Sequence, residues 1–102
     1  MMAVLLQVDF KMEGPFGSEM AEGFQDLAES INEETGFLWK IWTENENAKE
    51  AGGIYVFETK EDAENYLKMH TERLAGFGIK DVNGKIFNIN RQLSKINNAP
   101  IE

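Results

Sequence analysis

Phe37-Leu38-Trp39-Lys40-Ile41-Trp42 is the stretch from which the fold can be read. Its aromatic and β-branched side chains suit a pleated, half-buried strand, and Gly36 punctuates the chain just before it. Successive strand side chains point to opposite faces. Strict alternation therefore places Phe37, Trp39 and Ile41 on one face and Leu38, Lys40 and Trp42 on the other, a tryptophan on each. The next apolar segment, residues 53–57, repeats the pattern, with Tyr55 and Phe57 opposed by Ile54 and Val56. A polar loop over residues 45–50 separates the two, so they read as a long-looped hairpin whose sheet is apolar on both sides.

Working outward from that hairpin, Val4, Leu6, Val8 and Phe10 alternate with a set that turns polar at Gln7 and Asp9, which predicts an N-terminal strand. Gly14-Pro15-Phe16-Gly17 ends it. Ser18 is a suitable N-cap, and Met20, Phe24, Leu27, Ala28 and Ile31 recur at helical spacing, predicting one helix over residues 18–33. Beyond the hairpin, Thr59 caps a second helix whose inward stripe is Ala63, Tyr66, Leu67, His70, Leu74 and Phe77, closed by Gly76 and Gly78. A last strand covers about residues 82–89, interrupted by Gly84, and residues 92–99 form a short helical turn before Pro100.

The order βαββαβ is the split unit of ferredoxin-like folds, an α+β class with an antiparallel sheet, here one domain over residues 1–102. Two helices in this topology cover one face of the sheet only. A second copy of the same sheet is the simplest cover for the other face, which predicts a homodimer through the open face.

Composition removes several functions. The chain holds 10 Lys and Arg against 18 Asp and Glu, a net charge of -8, so nucleic acid and anionic membrane surfaces are poor partners. No apolar run approaches the ~20 residues of a spanning helix, and the first ten residues lack a secretory leader's pattern. With no cysteine, disulfides, thiolate nucleophiles and iron-sulfur ligation are excluded, and a cytoplasmic location is the expectation. Dinucleotide, P-loop and H-E-x-x-H motifs are absent, and a single histidine builds no multi-histidine metal site. The carboxylates at Glu44, Glu46, Glu50, Glu61, Asp62 and Glu64 fall in a polar loop or a helix's first turn, where solvation and the helix dipole account for them.

His70 stands apart because a titratable ring falls on the apolar stripe of a helix, with Arg73 close by in sequence. Met20, Phe24, Phe37, Trp39, Tyr55, Phe57 and Tyr66 would line the space between sheet and helices, a wall suited to a flat aromatic ligand. Taken singly, each is also what a plain core carries.

Gly14-Pro15-Phe16-Gly17, Leu27-Ala28-Glu29-Ser30-Ile31-Asn32, Gly36-Phe37-Leu38-Trp39-Lys40 and Glu50-Ala51-Gly52-Gly53-Ile54-Tyr55, in this order, resemble the YdhR-type mono-oxygenase family. Tyr66-Leu67, His70-Thr71, Arg73-Leu74, Leu93-Ser94 and Ile96-Asn97 extend the likeness along the chain. The resemblance implies a dimeric α+β barrel and oxygen chemistry without flavin or metal. A phenol, quinol or anthrone would lose a proton and reduce dioxygen directly. In that scheme His70 is the general base, Trp39 and Phe37 the stacking walls, and Tyr55 or Tyr66 the donor to a developing oxyanion. Two other readings stay open: a non-catalytic module binding an apolar metabolite, and haem handling with His70 as axial ligand.

Overall fold

A computed structural model describes residues 3–101. Its elements run β1 (Val4–Lys11), α1 (Gly17–Gly23), α2 (Gln25–Ile31), β2 (Phe37–Asn45), β3 (Glu50–Phe57), α3 (Lys60–Gly76), β4 (Asn83–Asn88) and α4 (Arg91–Ile96). The four strands form one antiparallel sheet in the order β2-β3-β1-β4, which is the ferredoxin-like arrangement.

The first helix is divided rather than continuous over residues 18–33. Phe24 leaves helical geometry at φ -107° and ψ 11° directly after Gly23, whose missing Cβ makes the chain easy to bend. Hydrogen bonds from Phe24 N to Met20 O and from Ala28 N to Phe24 O, each 2.9 Å, still carry the chain across the bend. The hairpin loop is also tighter than its polarity suggests, because β3 begins at Glu50 and pairs back to Asn45 of β2. α3 starts where the cap predicts, with Thr59 Oγ1 accepting from Asp62 N at 3.0 Å.

β2 overturns the simple alternation. Phe37 pairs with Phe57 but Trp39 pairs with Val56, so Leu38 is the extra residue of a β-bulge. One extra residue reverses the phase of everything that follows it. Phe37 remains on the helix-covered face, and Lys40, Trp42 and Glu44 join it there. Trp39, Ile41 and Thr43 turn to the other face. Each face keeps one tryptophan, exchanged relative to the alternation read from the sequence.

The core lies between the sheet and α3. Val4, Leu6, Val8, Phe10, Tyr55 and Phe57 from the sheet meet Ala63, Tyr66 and Leu74 from the helix, all buried. On the uncovered face the rows Trp39–Val56–Leu5–Phe87 and Ile41–Ile54–Gln7–Lys85 run across the strands. The C-terminal segment comes back to the first row, where Trp39 Nε1 donates to the Pro100 carbonyl at 3.2 Å. Val56 is buried there, whereas Ile41 is 55% and Phe87 46% exposed.

Candidate functional site

A cavity of about 660 Å³ opens between the covered face of the sheet, the α1–α2 bend and the C-terminal half of α3. Its wall is mostly apolar: Phe10 and Met12 at the end of β1, Met20, Phe24 and Leu27 from the bent helix, Trp42 and Ala51 from the sheet, Leu74 and Phe77 from α3 and its cap. This size and character match a small-molecule site. Glu44 helps hold the near wall, since its Oε1 accepts from Gly17 N at 2.7 Å and ties β2 to the start of α1.

Polar side chains reach the interior at three places. His70, 4% exposed, stacks on Tyr66 with ring centroids 5.2 Å apart and an interplanar angle of 22°. Arg73 Nη2 lies 2.9 Å from His70 Nδ1. A guanidinium has no lone pair with which to accept, so Nδ1 is the acceptor and the ring hydrogen sits on Nε2. Burial, then the charges of Arg73 and Lys40, lower the imidazole to about 3, and the ring is neutral at physiological pH.

Tyr55 is the second. Arg73 Nη2 donates to the Tyr66 hydroxyl, which donates to the Tyr55 hydroxyl, each at 3.4 Å. Because a hydroxyl carries one hydrogen, this chain leaves the Tyr55 O–H free to donate elsewhere. Burial foremost raises both phenols above their usual range, so both stay protonated.

Lys40 is the third, and the sequence reading gave it no role. Its Nζ lies 3.2 Å from the Trp42 ring centroid and 4.6 Å from that of Tyr55. Ring faces rather than a carboxylate hold the ammonium, and among the described residues no acid forms a salt bridge with it. Burial first, and Arg73 second, lower the amine from 10.5 to about 7. Gly53 makes room for the stem: a Cβ there would meet Lys40 Cε at 2.5 Å. One signal in the sequence could have flagged this residue, a lysine set inside the aromatic run of an apolar strand.

Of the residues expected at the site, the structure brings His70, Tyr55, Phe24 and Met20 together around the cavity. Phe37, Phe57 and Tyr66 lie beside it as packed core, Phe37 edge-on to Phe57 at 5.9 Å and Phe57 tilted on Tyr66 at 5.3 Å. The bulge carries Trp39 to the opposite face, and Trp42 takes the place expected for it. Among the described residues no group of three or more His, Cys, Asp or Glu side chains could hold a metal ion, and no helix is long and apolar enough to cross a membrane.

Over residues 5–100 the sequence matches the model of a family described as "Putative mono-oxygenase ydhR". No curated protein matches it. Among solved structures, a mutant of SnoaB from Streptomyces nogalater, described as a cofactor-independent oxygenase, superposes with a TM-score of 0.63. The match covers 88% of this chain and 95% of that one at 14% identity, a likeness of fold.

Proposed function

The chain belongs to the ydhR mono-oxygenase family, and from that membership together with the cavity we propose that it is a cofactor-independent mono-oxygenase of a small phenol, quinol or anthrone. The observation that carries this reading is an aromatic-walled cavity whose interior side chains are hydrogen-bond donors: His70 Nε2–H, the Tyr55 hydroxyl and Lys40. Such a set stabilises negative charge developing on a substrate oxygen, the state that electron-rich aromatics reach before they reduce dioxygen. For an anthrone the overall change is a CH₂ converted to C=O. One atom of dioxygen enters the product, the other leaves as water, and the two C–H bonds supply all four electrons.

His70 then acts as a neutral donor rather than as the general base that the sequence suggested, because Arg73 occupies the lone pair on Nδ1 and burial, followed by the charges of Arg73 and Lys40, holds its basicity low. Met20, Phe24 and Trp42 supply the walls. The working form in this proposal is a homodimer in the cytoplasm. Ile41 and Phe87 on the uncovered face support the pairing, and the absence of cysteine suits a reducing compartment.

The test is oxygen uptake by metal-free, flavin-free protein given a panel of anthrones and quinols. Uptake at least tenfold above protein-free autoxidation, with a ketone or quinone product carrying one atom from labelled dioxygen, is the expected result. Uptake equal to autoxidation while tryptophan fluorescence still reports saturable binding would replace the enzyme with a binding module.

A further inference from the structure

Lys40 enters the oxygen chemistry above as one donor of three, yet its amine sets it apart: Lys11, which also lines the cavity, is exposed and paired with Glu50 at 3.7 Å, whereas Lys40 points among the rings. Its stem crosses Gly53 and its Nζ rests on Trp42 and Tyr55. Titratable groups face it from two elements: Tyr55 from β3 and His70 from α3, both neutral, and the charged Arg73, also from α3. Glu29 of α2, exposed and engaged by Gln25 Nε2 at 3.3 Å, lies on a neighbouring cleft that Lys40 also borders. The inner side chains thus offer three donors and, as carboxylates go, nothing. Glu13 lines the cavity but is exposed.

A half-buried ammonium held against ring faces is poorly solvated, and a ligand bearing an anionic oxygen restores what the loss of water removed. We infer that the substrate is an acidic hydroxy-aromatic, a phenol or the enol form of an anthrone, whose oxygen sits among Lys40 Nζ, the Tyr55 hydroxyl and His70 Nε2, and that Lys40 is the base that ionises it. The lysine enters as the neutral amine. The substrate O–H bond breaks, an N–H bond forms, and a phenolate or enolate faces an ammonium, with no change in oxidation state. The amine's position near 7 makes both of its forms accessible at physiological pH. This inference deepens the reading above and rests on it for the oxidation that follows, but the proton transfer itself needs no turnover.

The ionisation is therefore read directly. The full chain, wild type and Lys40→Met, is titrated with para-nitrophenol as probe while the phenolate absorbance is followed across pH, and para-nitroanisole serves as the ether that cannot ionise. In the wild type the midpoint of bound nitrophenol should fall at least one pH unit below that of the free phenol. In Lys40→Met it should rise above the free value, and the wild type should prefer nitrophenol to the ether at least tenfold. Equal midpoints in the two proteins, with binding intact, would remove Lys40 as the base and leave the oxygenase reading standing. Ether bound as tightly as phenol would overturn the anionic-oxygen site. Failure of the wild type to bind either probe would overturn the aromatic substrate class and the inference with it.

Discussion

Replacing Lys40 with methionine should stabilise the protein, and by an amount that depends on pH. Lowering an amine from 10.5 to about 7 means that the folded state disfavours the ammonium by about 5 kcal/mol, at 1.36 kcal/mol for each tenfold in protonation. The faces of Trp42 and Tyr55 return up to ~2 kcal/mol through the cation–ring attraction. Methionine has a similar length, keeps the contact with the rings and carries no charge, so repacking costs less than about 1.5 kcal/mol. The net expectation at pH 6 is a Lys40→Met protein about 2 kcal/mol more stable than wild type. Between pH 7 and 10.5 the unfolded chain still binds a proton that the folded chain has released, so wild-type stability climbs with pH through that window and the gap closes. Urea unfolding followed by circular dichroism at pH 6, 8 and 10, at one protein concentration, reads this directly. A variant no more stable than wild type at pH 6, or a gap that persists unchanged to pH 10, would refute the burial of a charged amine and the chemistry built on it.

His70 is held at about 3 against an ordinary 6.5, so the unfolded chain takes up the extra proton as pH falls below 6.5 and stability is lost toward pH 3; thermal melts of His70→Phe should show a flatter acid limb than wild type. Gly53→Ala should displace the Lys40 stem, cost about 1–3 kcal/mol in urea unfolding, and move the midpoint of bound nitrophenol toward its Lys40→Met value. Ile41→Glu, on the uncovered face, should leave a folded monomer by sedimentation equilibrium where wild type sediments as a dimer; a monomeric wild type across micromolar concentrations would remove the dimer. Thr59→Ala removes the acceptor for Asp62 N and should cost about 1 kcal/mol without altering ligand binding.

The sequence by itself determined the elements that rest on a repeating local pattern, though not the bend after Gly23 that divides the first helix. The period-2 run from Val4 to Phe10, the stripe Ala63-Tyr66-His70-Leu74 and the cap at Thr59 each follow from side chains a few residues apart, and the structure places all of them as the spacing requires. That much also brings His70 and Tyr55 to one cavity, because the inner faces of α3 and the sheet must meet to bury their apolar atoms. What only the tertiary structure decided is the phase of β2. Whether Leu38 is an ordinary strand residue or the extra one in a bulge depends on how β2 pairs with Phe57 and Val56 of β3, and no local feature of the run Phe37 to Trp42 carries that information. The consequence reaches the chemistry. A single residue of slip takes Trp39 out of the cavity, brings Trp42 in, and buries the amine of Lys40 where alternation alone would have left it on the other face.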